Sequence, residues 1–201
     1  MIAIVDYGMG NLRSVEKAFA FLDYDVCVTN KKDVIRDATH IVLPGVGAIA
    51  DAVKNIEKLG LTDEIIKQAQ SGKPFLGICL GMQLLFQKSC ENGEHKALGL
   101  INGIVKPFEA KGLRVPHMGW NSLKIKDNPL FCNTEEEQYV YFVHSYHADG
   151  VAQECVIANT EYGYDFVSAV QKDNLFGLQF HPEKSGETGL SMLKKFGGLK
   201  L

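Results

Sequence analysis

The first half of the chain alternates between short apolar runs and segments with helical periodicity. This alternation limits the possible folds more than any other feature of the sequence. MIAIVDY predicts a buried strand, and the other runs that predict strands are DVCVTN, HIVLPG and PFLGIC. The segment after the first run places Leu12, Val15, Phe19 and Leu22 on one helical face. Strands that alternate with helices favour a parallel sheet covered on both sides.

The second half of the chain has a different pattern. The first half also contains predicted helices at about residues 48–59 and 61–70 and for LGMQLLFQKS. From about Gly103 the segments are mainly strand-like, up to a last helix at about residues 187–196. The sequence contains no repeat or Pro/Ser-rich linker, and 201 residues suffice for one core. We expect a single α/β domain over residues 1–201, with a doubly wound, mostly parallel sheet flanked by helices and antiparallel strands added in the second half.

Composition excludes several classes of partner and location. The formal net charge is −3 and there is no basic block, so we expect neither nucleic acid nor a membrane surface as partner. The longest uncharged run, Pro74–Gln87, has 14 residues, whereas a membrane span needs roughly 20. The N-terminus lacks the features of a signal peptide. The cysteine count is odd and no C-x-x-C pair occurs, so we expect a cytoplasmic protein without a disulfide framework. The cysteines are Cys27, Cys79, Cys90, Cys132 and Cys155.

Three motifs suggest a cofactor, phosphate or metal site but lack required residues. GMGNLR follows the first predicted strand, yet Arg13 occupies the third glycine position of a dinucleotide fingerprint. SGKP suggests a phosphate-binding loop, but Lys67 and Pro74 replace its first glycine and its Ser/Thr. His144 and His147 are three residues apart in a predicted strand, so they should face opposite sides of the sheet. We therefore expect no cofactor and no metal.

The segment GICLG, residues 77–81, has the form of a nucleophile elbow. It lies between a predicted strand and a predicted helix, and its flanking residues are small, as a sharp strained turn requires. Cys79 would then lie at a helix N-terminus, which favours thiolate. The N–H of Leu80 would be placed to stabilise an oxyanion. The motif alone leaves open that Cys79 is a buried cysteine between packing glycines.

A general base is suggested by FHPE near the C-terminus. His181 and Glu183 are two residues apart, so both side chains leave the same face of an extended segment. A carboxylate there can orient the imidazole and favour its protonated form. The carboxyl ends of parallel strands meet at one edge of a sheet, where active sites form. The alternative is an exposed histidine beside a surface glutamate.

A third element, LPGVG, follows the strand HIVLPG, and its paired glycines allow backbone N–H groups to turn toward a ligand. An ordinary strand-to-helix turn is the alternative. Together, PGVG, GICLGMQ and HPE resemble the class I glutamine amidotransferase family, which carries a Cys-His-Glu triad on a doubly wound sheet. DYGMGNLRSV, PHMGWN, YFVHSYH and GLQFHPEKSG extend this resemblance over nearly the whole chain. They are similar to the family's glutaminase subunits in histidine biosynthesis.

The resemblance implies a reaction and roles for particular residues. Cys79 would attack the side-chain amide of glutamine, His181 would transfer protons and Glu183 would orient the imidazole. The oxyanion hole would combine the N–H of Leu80 with one from the PGVG loop. The loop residues are Val46, the preferred donor, and Gly47. The residues implied to hold the amino-acid end of glutamine are Gln83, Glu91, Ser145 and Tyr146. For Glu91, whose loop aligns loosely, a solvated surface carboxylate is an equal alternative.

The sequence contains no group that could accept the ammonia. We therefore expect a separate acceptor subunit, which the resemblance identifies as a (β/α)8-barrel cyclase in a heterodimer. The cyclase would form imidazole glycerol phosphate and an aminoimidazole carboxamide ribotide. The resemblance places Asn11, Trp120, Tyr141 and Lys184 at the partner face or ammonia gate. Their alternatives are a helix cap for Asn11, core for Trp120 and Tyr141, and a solvated charge for Lys184. We further expect the Val46 loop to be non-productive in the isolated chain.

Other functions remain open at this point. A stand-alone γ-glutamyl hydrolase can use a similar elbow and base. A related glutaminase can supply ammonia to a surface-sugar synthase instead. A non-catalytic scaffold subunit is disfavoured because all three triad residues are present.

Overall fold

The computed structural model describes residues 1–109, 112–131 and 137–200, and Cys132 lies outside these ranges. The helices in the described ranges are α1 (Leu12–Phe21), α2 (Lys32–Asp37), α3 (Ile49–Lys58), α4 (Thr62–Ala69), α5 (Leu80–Leu84) and α6 (Gly186–Gly197). The strands there are β1 (Ile2–Val5), β2 (Val26–Thr29), β3 (His40–Gly45), β4 (Phe75–Cys79), β5 (Lys88–Ser89), β6 (His95–Lys96), β7 (Ile104–Pro107), β8 (His117–Ile125), β9 (Gln138–His144), β10 (Tyr146–Asp149), β11 (Val156–Glu161), β12 (Asp165–Lys172) and β13 (Leu175–Leu178).

The parallel part of the sheet has the order β2-β1-β3-β4-β13. β1, β3 and β4 are buried along their whole length, as expected of strands covered on both faces. In the β3–β4 register, Gly45 pairs with Cys79, so the PGVG turn and the cysteine elbow leave the sheet side by side. β13 runs parallel to β4 on its other side and brings His181 to the same edge.

Side chains of these strands alternate between two hydrophobic clusters on opposite faces. On one face, Val42 and Ile78 belong to a cluster that includes residues of α1 and α6. On the other face, Leu43 and Phe75 belong to a cluster that includes residues of α2, α3 and α4. The sheet is therefore doubly wound. No helix in the described ranges is long and apolar enough to cross a membrane.

The remaining strands extend the sheet mainly in antiparallel fashion. β12 pairs antiparallel with β13, β10 and β11, and β8 joins β11 to β9. β7 and β5 pair parallel beyond β10, and β6 closes that edge. The predicted fold class, a parallel doubly wound sheet with antiparallel strands added in the second half, is thus confirmed.

The helix predicted for LGMQLLFQKS is shorter than expected, because α5 ends at Leu84. The carbonyl groups of Leu84 and Leu85 accept hydrogen bonds of 2.9 Å from the N–H groups of Leu98 and Leu100. A distant loop thus occupies acceptors that a longer helix would use, and Lys88–Ser89 forms β5 instead. The local pattern could not indicate this contact.

We predict that Gly81→Ala destabilises the chain. A Cβ at position 81 would overlap the carbonyl oxygen of Leu43, a backbone atom that cannot move without shifting β3. The free energy of unfolding should fall by roughly 1–3 kcal/mol, as measured by urea denaturation. Gly198→Ala is the matched control, because a Cβ there meets its nearest atom at 3.4 Å. Equal effects of the two substitutions would contradict the proposed close approach.

Candidate active site

Cys79 lies in a strained turn between β4 and α5. Its φ is 55° and its ψ is −108°, a conformation that residues other than glycine rarely adopt. The elbow also needs glycine on both sides. A Cβ at position 77 would lie 2.6 Å from the carbonyl oxygen of Gly81, and one at position 81 would overlap the oxygen of Leu43. Such strain persists only where the surroundings fix the backbone, and it concentrates at functional sites.

The PGVG turn lies directly beside this elbow. Tyr7 is buried behind the turn and its hydroxyl donates a 2.8 Å hydrogen bond to the carbonyl of Pro44. A Cβ at Gly45 would overlap that hydroxyl, so the turn needs glycine at this position as well. Gly47 has a φ of +97° and Val46 is 40% exposed. The base of the turn is therefore fixed, while its tip faces the site.

His181 and Glu183 form a buried pair. His181 Nδ1 lies 2.9 Å from Glu183 Oε1, and because a carboxylate accepts, Nδ1 carries the proton. His181 Nε2 is buried without a hydrogen-bond partner among the described residues, so it is free for proton transfer. Burial would lower the pKa of His181, but interaction with Cys79 and with Glu183 outweighs it and raises the pKa to about 9. This electrostatic setting favours the imidazolium form of His181.

The backbone of His181 is held from strand β9. Its N–H donates to the carbonyl of Tyr141 at 3.0 Å, and its carbonyl accepts a 2.6 Å hydrogen bond from the Ser185 hydroxyl. The same hydroxyl accepts from the N–H of Tyr141 at 3.0 Å. Ser185 therefore links the two segments, and a short 3-10 turn, Pro182–Lys184, follows the histidine. The imidazole is oriented by its backbone as well as by Glu183.

A cavity of about 400 Å³ lies in front of these groups, within the roughly 300–1,000 Å³ typical of small-molecule sites. The structure brings every predicted oxyanion and glutamine-binding residue to this cavity, together with the predicted nucleophile and base. The cavity is lined by Val46, Gly47, Cys79, Leu80, Gln83, Glu91, Pro116, Val143, His144, Ser145, Tyr146 and His181.

Glu91 has a defined position in this cavity. One of its carboxylate oxygens accepts a 2.7 Å hydrogen bond from the N–H of Ile49 at the start of α3. The N–H of Glu91 donates to the Ser89 hydroxyl at 3.1 Å. The carboxylate thus accepts a hydrogen bond from a free backbone N–H at the N-terminus of α3. The side chain of Ala48, the N-cap residue, cannot do this. The alternative, that Glu91 is a solvated surface carboxylate, does not agree with these two hydrogen bonds.

Two buried groups near the cavity were not predicted. Gln179 is fully buried and its Nε2 lies 3.8 Å from Cys79 Sγ. Gln179 also lies two residues before His181 in an extended segment, so strand alternation could have placed both on one side. His117 Nδ1 lies 3.0 Å from His144 Nε2, and His144 Nδ1 lies 2.8 Å from the carbonyl of Tyr146. The contact between His117 and His144 depends on the pairing of β8 with β9, and no local pattern in the sequence indicates that pairing.

The donor roles in the His117–His144 pair follow from its acceptors. The Tyr146 carbonyl can only accept, so His144 carries its proton on Nδ1 and accepts on Nε2 from His117 Nδ1. The side-chain nitrogen of Asn121 then faces His117 Nε2 at 3.3 Å. Burial lowers the pKa of His117 to about 4 and that of His144 to about 3. Both imidazoles are neutral and fix the backbone at Tyr146.

The expectation that His144 and His147 face opposite sides of a strand was wrong. Ser145 interrupts the chain between β9 and β10, and both imidazoles pack on the ring of Phe108, with centroid distances of 5.1 and 4.7 Å. No group of three or more His, Cys, Asp or Glu side chains suited to a metal occurs in the described part of the chain.

Most of the predicted partner residues meet on one surface. Trp120 is 57% exposed, so the core alternative is wrong for it. Its ring packs edge-on against Tyr141 at 6.2 Å, and Lys184 Nζ lies 5.9 Å from the centre of the Tyr141 ring. Asn11 is the N-cap residue of α1, next to Gly10, and its side chain makes no capping hydrogen bond. The helix-cap alternative holds for its position, but the cap is made by its backbone carbonyl, which accepts from the N–H groups of Ser14 and Val15.

The family model for class-I glutamine amidotransferases matches residues 3–197. The chain belongs to the class-I glutamine amidotransferase family.

Comparison with curated relatives places the chain in one group within the family. The imidazole glycerol phosphate synthase subunit HisH of Caldanaerobacter subterraneus subsp. tengcongensis is 51% identical, over 98% of this chain and 97% of the relative. The protein of the same name from Sulfurimonas denitrificans is 49% identical, over 98% of this chain and 97% of that relative. Within the family, the chain therefore groups with the HisH subunits.

Solved structures support the fold. A glutamine amidotransferase crystal structure aligns with a TM-score of 0.77 at 19% identity, covering 99% of this chain and 100% of the other. The structure of PurLQS from Thermotoga maritima aligns with a TM-score of 0.75 at 22% identity, covering 97% of this chain and 96% of the other. At these identities the likeness concerns the fold.

We predict that Glu183→Gln lowers the pKa of His181 below about 9, because the negative charge beside Nδ1 is lost. The imidazolium should then lose its proton at a lower pH, as measured by NMR titration of the imidazole nitrogens. Glutamine hydrolysis at pH 7 should fall by at least about tenfold. Glu187→Gln, at an exposed glutamate in the first turn of α6, is the matched control. An unchanged His181 titration in Glu183→Gln would exclude the carboxylate as the cause of the raised pKa.

Proposed function

We propose that the chain is the glutaminase subunit of an imidazole glycerol phosphate synthase, which hydrolyses glutamine and passes the ammonia to a cyclase subunit. The observation that carries this proposal is the convergence of three groups at one cavity. These are the strained Cys79 elbow, the buried His181–Glu183 pair and the PGVG turn. The names of the relatives support the same activity.

The reaction begins with attack of the Cys79 thiolate on the side-chain carboxamide carbon of glutamine. A tetrahedral intermediate forms, and the protonated His181 gives its proton to the departing nitrogen, so that ammonia leaves and a glutamyl thioester remains. His181 then takes a proton from water, which attacks the thioester. The C–S bond breaks, glutamate leaves and the sulfur is again a thiolate. Glu183 keeps the proton on Nδ1 and stabilises the imidazolium throughout.

The oxyanion of the intermediate needs donors at the elbow and at the PGVG turn. We assign these to the backbone N–H of Leu80 and to that of Val46. Gly47, with its φ of +97°, lets the neighbouring Gly45–Val46 peptide, which carries the Val46 N–H, change its orientation, while the Tyr7–Pro44 hydrogen bond holds the base of the turn. We propose that this peptide is non-productive in the isolated chain and turns toward the cavity when the partner holds its substrate.

The amino-acid end of glutamine would be bound on the opposite wall of the cavity. Glu91 supplies a carboxylate for the α-amino group, with one oxygen already held by the N–H of Ile49. The backbone at Ser145 and Tyr146 would receive the α-carboxylate, and Gln83 would also contact this amino-acid end. The neutral imidazole of His144 keeps the Tyr146 carbonyl in place, so the wall is preorganised.

A partner is required because free ammonia at neutral pH is mostly ammonium and therefore a poor nucleophile. We propose that the partner is a (β/α)8-barrel cyclase that forms a heterodimer with this chain in the cytoplasm. The cyclase turns the ammonia and a ribulosyl substrate into imidazole glycerol phosphate and an aminoimidazole carboxamide ribotide. The docking surface would contain Trp120, Tyr141 and Lys184, with Asn11 at its border. Exposed apolar side chains on β8 and β9, namely Met118 and Tyr139, extend this surface.

We predict that glutamate release from glutamine rises by about tenfold or more when the cyclase subunit and its ribulosyl substrate are added. Cys79→Ala should abolish the release, because none of the other described residues that line the cavity carries a thiol to form the thioester. Cys155→Ala, at a half-buried cysteine outside the cavity, is the matched control and should keep wild-type activity. A coupled glutamate dehydrogenase assay measures both effects. Retained turnover in Cys79→Ala would exclude Cys79 as the nucleophile. Full activity without the cyclase subunit would exclude activation by the partner.

A further inference from the structure

Gln179 joins the candidate nucleophile to the glutamine-binding wall. The residue follows β13, is fully buried and does not line the cavity. Its side-chain nitrogen lies 3.8 Å from Cys79 Sγ. Its side-chain oxygen accepts a 3.1 Å hydrogen bond from Gln83 Nε2. Gln83 Nε2 also donates to the carbonyl of Tyr146 at 3.1 Å. A continuous set of hydrogen bonds therefore runs from Tyr146 to the sulfur.

The direction of each hydrogen bond is set by the Tyr146 carbonyl, which can only accept. Gln83 must therefore present its amide nitrogen to that carbonyl. The second hydrogen of the same nitrogen then meets an acceptor, so Gln179 must present its oxygen to Gln83. This arrangement leaves the nitrogen of Gln179 to face Cys79, where 3.8 Å suits an N–H donor to sulfur. The orientation of both amides follows from donor and acceptor chemistry.

We propose that Gln179 is a further catalytic residue, which donates a hydrogen bond to the reacting sulfur of Cys79 and connects it to Gln83. This role rests on the proposed glutaminase activity. An N–H donor stabilises a thiolate more than a neutral thiol, because hydrogen bonds to charged acceptors are the stronger ones. It also restricts the rotation of the sulfur, so that the nucleophile keeps its place opposite the substrate amide.

The connection to Gln83 gives substrate binding a direct effect on the nucleophile. Gln83 lines the cavity and Gln179 does not, so glutamine contacts Gln83 first. Any shift of the Gln83 amide moves the N–H donor that holds the Gln179 oxygen in place. The donor at the sulfur is then repositioned without contact between glutamine and Gln179. Removal of the Gln179 amide should therefore take away the hydrogen bond that positions the Cys79 sulfur. It should also take away the acceptor of the Gln83 amide.

The test uses Gln179→Met and Gln179→Leu, which remove the amide and keep an apolar side chain of similar size. Gln68→Met is the matched control, since Gln68 is a buried glutamine in α4 that donates to Glu64, away from the cavity. Iodoacetamide alkylation of Cys79 at pH 7 is followed by peptide mapping, with the exposed Cys90 as an internal reference in every sample. Steady-state glutaminase kinetics are measured with the cyclase partner present.

Loss of the donor should slow alkylation of Cys79 by about tenfold relative to Cys90, and lower kcat by a similar factor. The KM for glutamine should rise, because Gln83 loses its acceptor. A purely structural role would have the opposite effect on alkylation, since loosened packing exposes a buried thiol and speeds the reaction. Unchanged or faster alkylation in both Gln179 variants would overturn the proposal.

A second measurement leaves Gln179 in place. The side-chain amide protons of Gln179 should shift in the NMR spectrum when Cys79 is replaced by Ala, whereas those of Gln68 should not. Identical Gln179 resonances in the two proteins would also overturn the proposal. Failure of the wild-type complex to release glutamate would instead count against the proposed function, because the alkylation and NMR results do not depend on turnover.

Discussion

The close approach of α5 to β3 is the contact on which the site depends. Gly81 packs so closely against the carbonyl oxygen of Leu43 that even a methyl group cannot be added, and Gly77 meets Gly81 in the same way from β4. This approach forces the chain at Cys79 into a positive φ. It also sets the first turn of α5 against the PGVG turn, because Gly45 and Cys79 are paired in the sheet. The candidate nucleophile and the candidate oxyanion donors are thus positioned by backbone packing.

Buried histidines near the cavity have opposite electrostatic environments. His181 is paired with a buried carboxylate and lies near Cys79, so its pKa rises although burial acts in the other direction. Burial lowers the pKa of His144 to about 3, and its hydrogen bond to the Tyr146 carbonyl, which acts in the other direction, does not outweigh burial. The first environment favours an imidazolium that can give up a proton to a leaving group. The second favours a fixed neutral donor that holds the wall of the cavity.

The sequence predicted those parts of the site that depend on local motifs and on the parallel sheet. Cys79 is flanked by glycines in one short segment, His181 and Glu183 are two residues apart, and the carboxyl ends of neighbouring parallel strands share an edge. The early end of α5 was missed, because the hydrogen bonds that terminate the helix come from residues 98–101. The His117–His144 pair was missed for the same reason, since it depends on the register between β8 and β9. Side-chain networks of this kind are created by distant segments and leave little trace in local periodicity.

The central claim is that Cys79 is the nucleophile of a glutamine-specific site. Its most direct test is to incubate the chain and its cyclase partner with a glutamine analogue that carries a diazoketone in place of the amide, and to map the covalent adduct by mass spectrometry. Cys79 is 7% exposed and Cys90 is exposed, so a non-specific reagent would label Cys90 first. If Cys79 is the nucleophile, a single adduct should form on Cys79, and excess glutamine should prevent it. Labelling of Cys90 in preference to Cys79, or labelling that glutamine does not suppress, would contradict this claim.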